Sequence, residues 1–257
     1  MVSRDESRDH GAPAARHPVV LARFGQAVLS LWASGTLPLR PHDPMKLVRT
    51  VKKRVTPRLH GSTTLRAAIE ILKQGGVVLF PTETAYGLAA DARRAQVVEK
   101  IFAMKGREAG KTPPLIVASA KMAGEYMELS PALLVLAKKH WPGPLTIVGK
   151  VRKGLASNVV RSDGTVAMRV SSLASARALS RGLGAPIVAT SANRAGEPTC
   201  YSVEAFDRQM KEAGVVLAPD VILDVGRLAE VPPSTIITEK NGKIVVLRQG
   251  AISVRTS

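Results

Sequence analysis

The amino-acid sequence predicts an α/β (α+β) fold, a twisted, mixed, open sheet with flanking helices in one domain over residues 61–253. Three observations predict it. Some windows repeat apolar residues at helical spacing and others carry short unbroken apolar runs; the two kinds alternate along the chain; and Gly, Pro or Ser marks many of the changeovers. No internal repeat interrupts this alternation.

The elements follow in order. Leu65, Ala68, Ile69 and Leu72 lie at i, i+3, i+4 and i+7, and Gly75-Gly76 stops that helix before an apolar strand at 77–80. A second helix fits 95–104, with Val97, Val98, Ile101 and Phe102 on its inner face, and a strand at 115–118 follows. Ser130-Pro131 reads as an N-cap with Pro at the first helical position. Lys138 and Lys139 sit in the last turn, where they oppose the dipole, and the helix closes at Trp141-Pro142-Gly143-Pro144. Further strands fit 145–151, 165–170, 186–190, 221–224, 235–238 and 244–247, and helices fit 174–182 and 203–211.

Composition bounds the function. Of 257 residues, 45% are apolar and 4% aromatic, which suits a globular chain with a sizeable core and excludes collagen-like or low-complexity classes. The single Cys200 forms no intrachain disulfide, so a reducing, cytoplasmic compartment is expected. Five histidines without a cysteine cluster leave no structural zinc site. No apolar run reaches the length of a membrane span. The formal charge of +17 suggests a polyanionic partner, whether nucleic acid, nucleotide or anionic surface.

That charge divides unevenly. Residues 1–60 hold 11 Lys+Arg against 4 Asp+Glu, net +7, and show no sustained periodicity. They are expected to be a basic, poorly ordered N-terminal extension. Three readings stay open: a targeting peptide, against which Asp5, Glu6 and Asp9 argue; an arm that contacts RNA; and an extension without a role, with the start at Met45.

Three segments could carry chemistry. In open α/β sheets ligands bind beyond strand ends. Residues 80–88, FPTETAYGL, follow a strand with two hydroxyls, a carboxylate and a phenol; an ordinary strand-to-helix turn is the competing reading. Residues 189–196, ATSANRAG, follow another strand with hydroxyl and amide groups, and an ordinary turn is again the competing reading. Residues 105–115 place Lys105, Arg107 and Lys111 within seven positions. G-x-x-x-G-K-T is one residue short of a P-loop and lies between a helix and a strand instead of opening a helix, so that motif is rejected. The three cations suit a phosphate clamp, or a solvated charged loop.

Other chemistries lack their parts. No G-x-S-x-G elbow is present, Cys200 has no evident His partner, and no G-x-G-x-x-G follows a strand. The interleaved aromatics of an RNA-stacking platform are absent as well.

Taken together, PTETAYGL at 81–88, Lys105-x-Arg107 with PPLIV at 113–117, WPGPLT at 141–146, AMRV at 167–170, Ser191-x-Asn193, Pro233-Ser234-Thr235 and Leu247-Arg248-Gln249-Gly250 resemble the YrdC-like family, the threonylcarbamoyl-AMP synthases of tRNA modification. The resemblance covers residues 62–251 and implies a fold with a basic concave face. It implies condensation of L-threonine, bicarbonate and ATP, with magnesium, to threonylcarbamoyl-AMP and pyrophosphate. It places Lys105 and Arg107 at the catalytic centre. Thr84, Arg169 and Ser234 would bind threonine; Lys105, Arg107, Lys111, Thr165, Ser191, Asn193, Thr199 and Arg248 would bind ATP. The link after the Lys-x-Arg pair is one residue longer than in many family members, and the chain is expected to be the short, single-domain form. The implied partners are the downstream tRNA threonylcarbamoyl-transferase complex, with weak direct tRNA or double-stranded RNA binding and no membrane. Two alternatives remain at this point: a non-catalytic tRNA-, double-stranded RNA- or ribosome-binding protein of the same fold, and a module handling another carbamoyl adenylate.

Overall fold

A computed structural model describes residues 54–55, 62–106, 112–152 and 154–254. Most of the predicted extension, together with Arg107 and Lys111, lies outside the described residues. In chain order the elements are β1 (Arg54–Val55), α1 (Ser62–Lys73), β2 (Val78–Pro81), β3 (Tyr86–Ala89), α2 (Ala95–Lys105), β4 (Leu115–Ile116), α3 (Ala120–Tyr126) and α4 (Pro131–His140). They continue with β5 (Leu145–Lys150), a 3-10 turn (Ser157–Val159), β6 (Thr165–Arg169), α5 (Ala174–Leu183), β7 (Ile187–Val188) and β8 (Thr190–Ser191). The last are α6 (Val203–Glu212), β9 (Val221–Leu223), β10 (Thr235–Lys240) and β11 (Lys243–Arg248).

The strands make two open sheets where the sequence suggested one. Five run in the order β1-β9-β2-β3-β8 and six in the order β11-β10-β5-β6-β4-β7, each with parallel and antiparallel neighbours. The apolar run predicted as one strand at 186–190 is the reason: it breaks at Ala189, so β7 pairs with β4 in the second sheet while β8 pairs with β3 in the first. β1 lies within residues 1–60 yet pairs in parallel with β9, so the sheet extends past the predicted domain boundary.

Period-two alternation distributes the side chains. Val78 and Phe80 of β2, Ile116 of β4 and Ile187 of β7 enter one apolar cluster with Leu72 of α1 and Leu179 of α5. Their neighbours Leu79, Leu115 and Val188 face a larger cluster with Ile101 of α2 and Phe206 of α6. α1 and α5 approach closely because α5 has Gly182 where a Cβ would lie 2.4 Å from Ile69. The predicted signals act at the helix ends. Ser130 Oγ accepts from the Leu133 amide at 3.2 Å, and Gly75, just past α1, lies in the left-handed region at φ +82°. β1, β3, α3 and the 3-10 turn have no counterpart in the sequence reading.

Candidate active site

Strand direction decides which side chains meet. β10 runs parallel to β5, whereas β6 runs antiparallel to β5 and β11 antiparallel to β10, so the starts of β5 and β10 lie on the same sheet edge as the ends of β6 and β11. That edge carries Thr146 at the second position of β5, Ser234 just before β10, Arg169 closing β6 and Arg248 closing β11. Opposite it stand the β2–β3 turn and β8 of the other sheet. Between them lies a cleft of about 380 Å³, lined by Thr84, Thr146, Arg169, Ser191, Thr199, Ser234 and Arg248 among others.

The segment 80–88 is a hairpin and not a strand-to-helix turn. Thr82 is buried and folds the turn back on itself: its hydroxyl donates to the Ala85 carbonyl at 2.7 Å and accepts from the Thr84 and Ala85 amides, each at 3.2 Å. Thr84 Oγ1 stands 3.1 Å from Thr82 Oγ1. Gly87 lets β3 pass close to its neighbours, since a Cβ there would meet Phe80 and the Thr190 carbonyl at 3.2 Å. The turn also carries Glu83, which accepts from Arg169 Nη1 at 2.8 Å and from the Ser171 hydroxyl.

The second guanidinium is anchored by the chain before β10. Arg248 donates to the Ser234 carbonyl from Nη2 at 2.8 Å and from Nε at 3.2 Å, and Nη2 reaches Ser234 Oγ at 3.2 Å. Ser234 Oγ in turn lies 2.9 Å from Thr146 Oγ1. Gly250 makes this possible. A Cβ there would fall 2.1 Å from the Pro233 carbonyl oxygen and 2.6 Å from the Ser234 carbonyl carbon, so only glycine lets the chain after β11 lie along 233–234. Burial, and next the charge of Arg169, holds the Arg248 pKa below its ordinary value. Burial lowers that of Arg169 too, with Glu83 opposing the shift.

Lys105 ends α2 and is buried; its ammonium donates to the carbonyls of Ser191 and, at 2.5 Å, Asn193. It therefore fixes the loop after β8 that presents Ser191. Asn193 donates from Nδ2 to the carbonyls of Arg194 at 2.8 Å and Glu197 at 2.7 Å, and its buried Oδ1 has no hydrogen-bond partner among the described residues. Neither Lys105 nor Asn193 lines the cleft directly.

Thr165 is a predicted residue that the structure places away from the cleft altogether. It opens β6 while Arg169 closes it, so it lies on the opposite sheet edge, paired with Lys150 and hydrogen-bonded to Asp163 Oδ1 at 2.6 Å. There it lines a separate depression with Glu128, Arg152 and Glu239. The family resemblance assigned it to ATP; the direction of β6 puts it on the sheet edge opposite Arg169.

Thr146, Tyr201 and Glu83 were not among the predicted residues. Thr146 had a signal, since it closes the WPGPLT motif, and Glu83 sits inside PTET. Tyr86, predicted only as a phenol beside the site, is fully buried. Its hydroxyl donates to the Gly226 carbonyl at 2.8 Å and accepts from the Val225 amide at 2.9 Å, and burial pushes its pKa up to about 12. It braces β3 against the chain after β9.

The arrangement suits an anionic ligand with polar ends: two guanidiniums on one wall, hydroxyls on the rest. The described residues contain no group of three His, Cys, Asp or Glu able to hold a metal ion. Glu83 is committed to Arg169 and Ser171. A magnesium ion therefore finds no protein carboxylate set here and would fit only as a counterion already bound to phosphates.

A family model carrying the names Sua5, YciO and YrdC, described as telomere recombination, matches residues 70–250. The threonylcarbamoyl-AMP synthase of Thiobacillus denitrificans is 35% identical over 175 residues, covering 68% of this chain and 90% of its own length. That of Idiomarina loihiensis is 32% identical over 184 residues, covering 70% and 96%. Among solved structures, P. abyssi Sua5 complexed with L-threonine aligns with a TM-score of 0.66 at 32% identity, over 72% of this chain and 54% of that one; this chain spans about half the length of that protein. E. coli YciO aligns with a TM-score of 0.66 at 27% identity, over 76% and 93%. With the model covering most of the sequence and the two curated relatives aligned over nearly their whole length, this chain belongs to the Sua5/YciO/YrdC family.

Proposed function

We propose that this protein condenses L-threonine, bicarbonate and ATP into threonylcarbamoyl-AMP, a nucleotidyl transfer that releases pyrophosphate and supplies tRNA modification. The observation that carries the reading is the pair of guanidiniums, Arg169 buried and Arg248 more exposed, facing a hydroxyl-lined cleft where two sheets meet. The names of the curated relatives and the threonine complex of P. abyssi Sua5 support the same chemistry.

In this reading Arg169 holds the threonine carboxylate, with Thr84 and Ser234 beside it. Thr146 keeps the Ser234 hydroxyl in place. Ser191, Thr199 and Arg248 face the nucleotide and its phosphates, and Asn193 shapes the loop next to them. The threonine amine adds to bicarbonate with loss of water, giving a carbamate. A carbamate oxygen then attacks the α-phosphorus, the bond from that phosphorus to the bridging oxygen breaks, and pyrophosphate leaves. No protein nucleophile takes part, so the protein contributes position and charge. Arg107 and Lys111 are assigned to the triphosphate on their sequence pattern, and Lys105 adds its charge to the same region while fixing the Ser191 loop. Magnesium is proposed only as the ion that ATP brings with it. The product is a mixed anhydride that water destroys, so a transferase that passes it to tRNA is the proposed downstream partner, and direct tRNA contact is secondary.

The test is pyrophosphate release. Purified protein should release it from ATP only when L-threonine and bicarbonate are both present, and Arg169→Ala should lower kcat/KM for threonine by ~100-fold or more, as expected when one partner of a buried charge contact is removed. Threonine-independent turnover, or none, overturns the reading. A protein that binds tRNA with steep salt dependence but forms no pyrophosphate would be the non-catalytic alternative.

A further inference from the structure

Glu83 belongs to the β2–β3 turn of the five-stranded sheet, and Arg169 ends β6 of the six-stranded sheet. Their ion pair, 2.8 Å from Nη1 to Oε1, therefore joins the two sheets at the cleft. Both side chains are largely shielded, at 8% exposure for Arg169 and 14% for Glu83. The other carboxylate oxygen, Oε2, accepts from the hydroxyl of Ser171, which is fully buried. Ser171 is itself held at several atoms. Its hydroxyl accepts from the Leu173 amide at 3.1 Å, and its carbonyl accepts from Arg177 Nη1 at 2.6 Å. Each carboxylate oxygen thus has its own donor, and the carboxylate plane is fixed by a residue that does not touch the cleft. Glu83 does not line the cleft, whereas Arg169 does.

The electrostatics require such a partner. Two guanidiniums share one wall, and the charge of Arg169 is felt at Arg248. A buried cation next to a like charge turns or moves away unless an anion fixes it. The Glu83 carboxylate supplies that anion on the side of Arg169 away from the cleft.

We propose that Glu83 is a positioning residue for threonine: oriented by Ser171, it holds the Arg169 guanidinium so that its remaining N–H groups face the threonine carboxylate. This rests on the synthase reading given above. Glu83 acts through Arg169 and contacts no reacting atom.

The experiment measures threonine Kd by calorimetry, KM for ATP, kcat and Tm for the full chain and for Glu83→Gln, Ser171→Ala, Arg169→Ala and the Glu83→Gln/Arg169→Ala pair. Glu83→Gln keeps the shape and removes the charge. It should raise the threonine Kd by about tenfold or more while KM for ATP changes by less than about twofold. Ser171→Ala should move the threonine Kd in the same direction by a smaller factor. In the Arg169→Ala background, Glu83→Gln should add less than about twofold, because the group it acts through is gone. Should Arg169→Ala not fold, Arg169→Gln, which also removes the charge, carries the same comparison. An unchanged threonine Kd in Glu83→Gln overturns the proposal, as does a loss shared equally by threonine affinity, ATP affinity and Tm, the result of a purely structural stitch. An unsubstituted chain that binds no threonine overturns the synthase reading and the proposal with it, and that result is read separately because it comes from the unsubstituted chain alone.

Discussion

Gly250 shows how far the absence of one side chain reaches. The Arg248 guanidinium binds the Ser234 carbonyl only because residue 250 lies against 233 and 234, where the Ala251 amide donates to the Pro233 carbonyl at 2.8 Å and the Gly250 amide to Thr235 Oγ1 at 3.0 Å. A methyl there meets backbone and not a yielding side chain. Gly250→Ala should cost about 1–3 kcal/mol, read as a lower Tm, and should raise KM for both threonine and ATP, because Ser234 and Arg248 move together. The glycine was visible in the LRQG motif, but its reason was not, since the contact spans residues far apart in sequence. The same holds for other single positions. Thr84, Arg169, Ser191, Ser234 and Arg248 lie in the quoted motifs, Thr199 came from the family resemblance, and all six line one cleft. Glu83 and Thr146 lay inside quoted motifs yet were not singled out, because their meaning depends on Arg169 and Ser234 across a sheet edge.

The β2–β3 hairpin is the element on which the cleft most depends. Its turn is held by one side chain, Thr82, which satisfies the Thr84 and Ala85 amides and the Ala85 carbonyl at once. Thr82→Val keeps the shape and takes the acceptor from the Thr84 and Ala85 amides, while the Ala85 carbonyl keeps the Thr82 amide at 3.0 Å. It should cost about 1–3 kcal/mol in thermal or urea unfolding and raise KM for threonine, because Thr84 and Glu83 sit on the loosened turn. Helices were the legible elements: α1, α2, α4, α5 and α6 begin and end within a few residues of their predicted positions, since apolar spacing and caps are local signals. β3 was missed because Tyr86-Gly87-Leu88-Ala89 is short and starts after a polar turn that also fits a helix N-terminus. α3 was missed because its seven residues, AKMAGEY, carry a glycine and bury only Ala123. That Thr165 lies on the edge opposite Arg169 was not legible because strand direction, which sets the edge a residue lands on, is a tertiary property.

At the scale of the molecule, the charge of +17 resolves into unequal parts. Residues 1–60 carry a net +7 and lie before every residue assigned to the cleft. Removing residues 1–49 should therefore leave threonine- and bicarbonate-dependent turnover within about twofold. Extending the cut to residue 58 also removes β1, uncovers β9 as a bare edge and should lower Tm, which a melting curve of the two truncations separates. The remaining charge includes Arg169 and Arg248, which both line the cleft; Arg169 is buried there and so of little use to a large polyanion outside. One further property follows from the passage at Ala189. Val188 is paired in one sheet and Thr190 in the other, so a single residue, Ala189, carries the backbone across, with at most about 7 Å of chain from Val188 to Thr190. So short a tether leaves no slack for the two walls to swing apart at that point. The portion of the cleft built on strands is thus already shaped before any ligand arrives, and association there loses little conformational freedom; adaptive closure, where it occurs, belongs to the loops.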